Sequence, residues 1–182
     1  MIGMCHSLGS DMLFDLKSDV TPLYNCIGFA MGMKDICVAL GNPAGIPWNW
    51  WPPTAHFDEN PHSLVEAFEY FGFVECESGD IEVDYDKVAL YSKEGKWTHA
   101  AIIETESLYH SKMGIWWDIV HRSGDLFHDE GYGDIFTYMK RLKIERHLTN
   151  DRKPKTGIMK ALGHIYAVME YNGTRCGYVR IA

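Results

Sequence analysis

Long apolar runs, basic charge, paired cysteines and scattered prolines are all in short supply in this chain of 182 residues, and each shortage excludes something. No stretch reaches the roughly 18 apolar residues of a membrane-spanning helix. Met1 to His6 has neither the basic start nor the apolar run of a signal peptide. The sequence therefore predicts a cytoplasmic chain with no membrane partner. Against 25 Asp and Glu stand 17 Lys and Arg, a net charge of −8 with histidine neutral. A protein that tracks nucleic acid by neutralising phosphates needs the opposite balance. The deficit is uneven: from Asp151 to Ala182 six Lys and Arg face Asp151 and Glu170, a local +4 that leaves −12 on the first 150 residues. Such a basic end reads as a solvated face or a dock for the acidic body. The five cysteines, at 5, 26, 37, 76 and 176, are odd in number and never spaced CxxC, so neither a disulfide framework nor a zinc ribbon is written here. No cofactor is expected, and the thiols are expected to be reduced, each a small buried hydrophobe or a reactive group.

Five of the seven prolines fall in residues 42–62, which also hold Trp48, Trp50 and Trp51, so this segment reads as an irregular, aromatic loop. Helical spacing flanks it. Asn25 is a plausible N-cap for a helix running from Cys26 to Leu40 and ending at Gly41-Asn42-Pro43. Gly28 and Gly32, one turn apart, make sense there if another backbone packs close. A second helix follows Asn60-Pro61 and stops at Gly72. Short strands then replace helices: 73–76, 87–91, 96–103 and 107–112, with Glu94-Gly95 as a hairpin turn. An irregular acidic stretch from His121 to Asp134 precedes an expected helix over 135–142, and two strands are expected at 165–170 and 177–181. Residues 1–20 read as a lead-in, 21–141 as the domain and 142–182 as a basic C-terminal extension. Helices first and an antiparallel sheet after is an α+β arrangement.

Two residues sit where thiol chemistry would want them. Cys26 opens a helix, where unpaired N–H groups and the helix dipole favour thiolate. His99 lies in the middle of a strand and could take the thiol proton and return one to a leaving group. Strict alternation puts Trp97, His99, Ala101 and Ile103 on one face, with Ala101 leaving room for a close helix. Either residue alone is more often structural, a buried thiol or a satisfied histidine. Cys37 falls on a core face, Cys76 beside Glu75 and Glu77, and Cys5 near the terminus.

The segments Tyr24 to Gly32, Trp50-Trp51-Pro52, Thr98-His99-Ala100-Ala101, His110 to Gly114 and Asp118 to His121, then Tyr132-Gly133, resemble an uncharacterised domain family of bacteria and phages. That family is similar to papain-like cysteine hydrolases of the NlpC or amidase kind. The resemblance covers roughly residues 20–141 and departs at Phe29, where the family tends to have Trp. It implies a papain-like fold in which the N-terminal helix carrying Cys26, the nucleophile, packs on the sheet carrying His99, the base. The third member is then His110 or Ser111, from the strand after the histidine strand, or Asp118, by the longer spacing of papain. The Cys26 N–H is the natural first oxyanion donor, and the Asn25 side chain is either a second donor or a plain N-cap. Trp50 and Trp51 wall a substrate groove or plug the core. The implied activity is attack of thiolate on a peptide or other amide carbonyl, through a thioester, as a peptidase, amidase or deamidase.

Two readings of other classes stand beside it. One is a non-catalytic binding module on the same scaffold. The other is a metal-dependent hydrolase using His121, His128, Asp129, Glu130 and Asp134, although their spacing matches no metal motif.

Overall fold

A computed structural model describes residues 15–41, 49–122, 131–161, 163–172 and 174–180. Its centre is a mostly antiparallel sheet. In chain order the elements are β1 (Asp15–Leu16), α1 (Cys26–Ala30), β2 (Cys37–Val38), β3 (Asn49–Trp50), α2 (Pro61–Glu69), β4 (Val74–Cys76), β5 (Tyr85–Lys93), β6 (Lys96–Thr105), β7 (Leu108–Lys112), β8 (Asp118–His121), β9 (Asp134–Leu142), α3 (His147–Arg152), β10 (Lys155–Ala161), β11 (His164–Tyr171) and β12 (Thr174–Arg180). Seven strands make the main sheet in the order β1-β8-β7-β6-β5-β9-β4, β10 to β12 form a second antiparallel sheet, and β2 and β3 pair in parallel. The class is α+β, as the order of patterns predicts.

Helix α1 is much shorter than its sequence pattern. Gly32 takes φ +92°, a left-handed value that ends the helix, and the chain doubles back so that Ile36 lies against Gly28. A Cβ on Gly28 would stand 2.5 Å from the Ile36 carbonyl oxygen. The close backbone that the glycines call for is thus the chain's own return, and Cys37 belongs to β2 rather than to the helix. Helix α2 is as predicted, with Asn60 accepting from the His62 N–H and Gly72 at φ +84° behind it.

The expected helix over 135–142 is a strand, β9, inserted between β5 and β4. Its apolar residues at 135, 136, 139 and 142 mimic helical spacing because both of its faces are covered: Met139 packs with Phe68 and Leu90, Ile135 and Tyr138 with Tyr91 and Ala101. The C-terminal extension holds three strands where two were expected, and α3 as well.

The sheet separates two clusters. On its helix side, Ile27, Phe68, Leu90, Ala100 and Met139 pack with α1 and α2. On its far side, Ala89, Tyr91, Ala101, Ile103 and Ile119 pack with Tyr109 and Tyr132. Two irregularities in β6 set the phase between them. Pairing steps from Tyr91↔His99 to Ser92↔Trp97, leaving Thr98 as an extra residue, and from Ile103↔Tyr109 to Thr105↔Leu108, leaving Glu104 as another.

Candidate active site

Cys26 lies at the start of α1, packed on the helix side of the sheet and only 8% exposed. Asn25 fixes that start. Its Oδ1 accepts the Gly28 N–H at 3.0 Å and the Val38 N–H at 3.0 Å, while its Nδ2 donates to the Val38 carbonyl at 2.8 Å. Of the two roles weighed for Asn25, the cap is the one formed, and the same amide ties α1 to β2. Burial pushes the Cys26 thiol up to about 11, against the opposing pull of the N–H groups of Ala100, Ile27 and Cys26 itself and of the Lys112 charge. At rest the sulfur is a neutral thiol. Cys37 is pushed further, to about 12, again by burial first and then by Cys26.

A buried polar cluster shares the helix side. Lys112 is fully buried, sits 5.0 Å over the Tyr24 ring and donates to the Trp116 carbonyl. Its register partner is Asp118. The Tyr24 hydroxyl donates to Asp118, 3.0 Å from each carboxylate oxygen, and Lys34 stands 3.7 Å from the same group. Burial, then the Asp118 hydrogen bond, raises Tyr24 to about 12; burial lowers Lys112, and Asp118 and the two thiols oppose that lowering. Charges this deep require partners, and these groups supply them to one another.

His110 precedes Lys112 by two residues and therefore projects to the same side. Its ring meets Phe29 of α1 edge-on at 4.7 Å. Its Nδ1 lies 2.8 Å from the Glu104 carboxylate, so Nδ1 carries the proton and donates it. The other nitrogen, Nε2, is buried and has no hydrogen-bond partner among the described residues.

His99 is on the other side of the sheet. Its register partner is Tyr91, its ring lies 5.4 Å from Tyr91 and 4.3 Å from Tyr132, and its Nε2 is 3.1 Å from the Ser111 hydroxyl. That hydroxyl also meets His121 Nε2 at 2.9 Å, making a buried chain of imidazole, hydroxyl and imidazole. Burial lowers His99 to about 3, with His121 adding to the effect, so the ring is neutral.

The structure thus gathers Cys26, His110 and Asp118 on the helix side and His99 with Ser111 on the far side. Alternation places His99 and Ala101 on one face, as predicted, but it is Ala100 that faces the helix, and the Thr98 bulge puts Trp97 across the sheet from His99. Asp118 therefore faces Tyr24 and Lys112, not the His99 ring. Sequence reasoning missed Glu104, Lys112 and Tyr24. The i, i+2 pair His110 and Lys112 was a usable signal for Lys112; Glu104 depended on a bulge that carries no sequence mark.

Trp50 and Trp51 both plug and wall. Trp50 packs near Tyr70, Phe71 and Tyr171, and Trp51 stacks on Trp97 at 5.5 Å. Yet both line an open cleft of about 550 Å³ with Pro52, Phe57 and Met169. In the proposed metal loop, His128, Asp129 and Glu130 lie outside the described residues, and His121 is in the Ser111 chain. Among the described residues no three His, Cys, Asp or Glu converge to hold a metal ion, and no helix is long and apolar enough to cross a membrane.

What the coordinates define is an α+β domain with one buried thiol at a helix start and a carboxylate-held imidazole on the same side of an antiparallel sheet. The chain belongs to the family described as a domain of unknown function, DUF7689, whose profile matches residues 15–140. No curated protein and no solved structure matches it.

Proposed function

We propose that the protein is a thiol-dependent hydrolase or acyl transferase acting on a peptide or other amide, with Cys26 as nucleophile and His110, held by Glu104, as base. The observation that carries this reading is the bare, buried Nε2 of His110 on the side of the sheet where α1 packs. A carboxylate that fixes one imidazole nitrogen as donor leaves the other as proton acceptor, which is the orienting logic of catalytic triads. The resemblance to papain-like NlpC enzymes supports the nucleophile; the position of His110 against α1 supports a base one strand along, on β7 rather than β6. In the reaction His110 Nε2 takes the Cys26 proton and the sulfur attacks the carbonyl carbon. The tetrahedral intermediate expels the amine with the proton from His110, and water, deprotonated by the same nitrogen, cleaves the thioester to acid and free thiol. The Lys112 charge favours the thiolate form at the moment it is needed.

The resting thiol, held near 11 by burial, favours a second reading, a binding module that keeps the scaffold without the chemistry. Mapping thiol alkylation by mass spectrometry at neutral pH separates the two. Cys26 is expected to react faster than Cys37 and Cys76, with His110→Ala slowing it about tenfold or more and His99→Ala leaving it within about twofold. Slowing by His99→Ala alone would return the base to His99, and uniform reactivity with no effect of either change would leave the binding module.

A further inference from the structure

We infer that the cleft beside Trp50 and Trp51 is a binding site for an extended peptide segment carrying a bulky apolar side chain, with Asn49 Oδ1 accepting that residue's backbone N–H. Three observations converge on this chemistry. The walls are apolar and fixed: Trp51 Nε1 donates to the His56 carbonyl at 3.0 Å, its ring stacks on Trp97, and Trp97 Nε1 donates to the Asp58 carbonyl at 3.0 Å. With its N–H spent on the backbone, the Trp51 indole offers a ligand only apolar surface. Phe57, 67% exposed at the rim, extends that surface outward.

The second observation is polar. Asn49 lines the cleft, and its Oδ1 is buried with no hydrogen-bond partner among the described residues. No charged side chain lines the cleft among the described residues. A buried acceptor without a donor is costly, and a neutral N–H from a ligand removes that cost, whereas an anionic ligand would add to it. An apolar pocket with one convergent acceptor is the form of site that takes an apolar group attached to an amide.

The third observation is position. Asn49 and Trp50 form β3, which pairs with Cys37 and Val38, and Val38 is the residue that Asn25 clamps to the start of α1. A segment seated in the cleft therefore lies against the ribbon that is tied to Cys26. Only the assignment of this segment as substrate rests on the thiol reading; the binding does not.

Tryptophan fluorescence titration tests it with two probes: a capped Ala-Leu-Ala tripeptide, and its depsipeptide in which the leucine N–H is replaced by an ester oxygen. Saturable binding of the tripeptide, with the depsipeptide about tenfold weaker or more, is expected for the native protein. Asn49→Leu is expected to bring the tripeptide down to the depsipeptide's affinity, and Cys26→Ala to leave both unchanged. If Asn49→Leu does not fold, the amide to ester ratio on the native protein decides alone. Equal affinity for the two probes, or no saturable binding, overturns the inference. A loss of thiol reactivity with binding intact would instead sink the hydrolase reading while leaving this site in place.

Discussion

Acid should loosen this protein through His99 before its carboxylates are touched. The ring is fully buried between Tyr91 and Tyr132, and burial holds it at about 3 against an ordinary 6.5. Because the folded value is depressed, the folded chain binds the proton less well than the unfolded one. Stability from this group is therefore complete above 6.5 and declines as pH falls from there toward 3. Each pH unit below the unfolded value costs about 1.4 kcal/mol, so moving from about pH 7.5 to about pH 5 removes about 2 kcal/mol. For a chain of this length that is a fall of about 4 to 8 °C in melting temperature. Two other sets of shifted groups do not add to this decline. The Glu66, Asp58, Glu82 and Asp86 carboxylates, held below their ordinary values, surrender their share only at lower pH. His56, raised by Glu66, works in the opposite direction but is exposed. The assay is urea unfolding at a series of pH values for the native chain and for His99→Gln, whose amide can still meet Ser111 but cannot titrate. The variant should lose the decline between about pH 6.5 and 5. An identical decline in both proteins would refute the reasoning.

Two further outcomes concern the start of α1. Asn25→Ala removes three backbone hydrogen bonds and strands the Val38 N–H and carbonyl, and should cost about 3 kcal/mol in urea unfolding; a loss below about 1 kcal/mol would show that the clamp matters little. Gly28→Ala sets helix propensity, which favours alanine by about 1 kcal/mol, against a Cβ 2.5 Å from the Ile36 oxygen. The overlap is with backbone and cannot be relieved by a rotamer, so the variant should be destabilised by about 2 kcal/mol or more, and a gain in stability would refute the close approach.

The α+β class, α2, six of the strands and the hairpin at Glu94-Gly95 were legible because each has its own local mark: an Asn cap before proline, alternation, or a turn residue at positive φ. Helix α1 is shorter than its pattern because Met33, Cys37 and Leu40 keep helical spacing while Gly32 turns the chain around. Strand β9 read as a helix because a strand buried on both faces loses the alternation that identifies strands. At the site, Cys26, His99 and His110 were all recognisable as candidates by residue type, and the Asn25 cap by position. Their partnership was not, since it depends on which face each strand residue takes, and the bulges at Thr98 and Glu104 reset that phase without a glycine or proline to announce them.

The Thr98 bulge also fixes which side of the sheet the His99 ring occupies. A side chain can swing among rotamers on its own side of a sheet, but it cannot pass through the hydrogen-bonded plane. With Ala100 facing α1 and His99 facing Tyr132, no rotation about χ1 or χ2 carries the His99 imidazole to the Cys26 sulfur. Only a slip of β6 by one residue against β5 and β7 would do so. That slip would exchange every side chain from His99 to Ile103 between the two cores at once, sending Ala101 to the helices and Ala100 to the tyrosines. What separates the His99 ring from the Cys26 thiol is therefore the hydrogen-bonded sheet itself, whereas His110 on β7 stands on the side of α1 without any change of register.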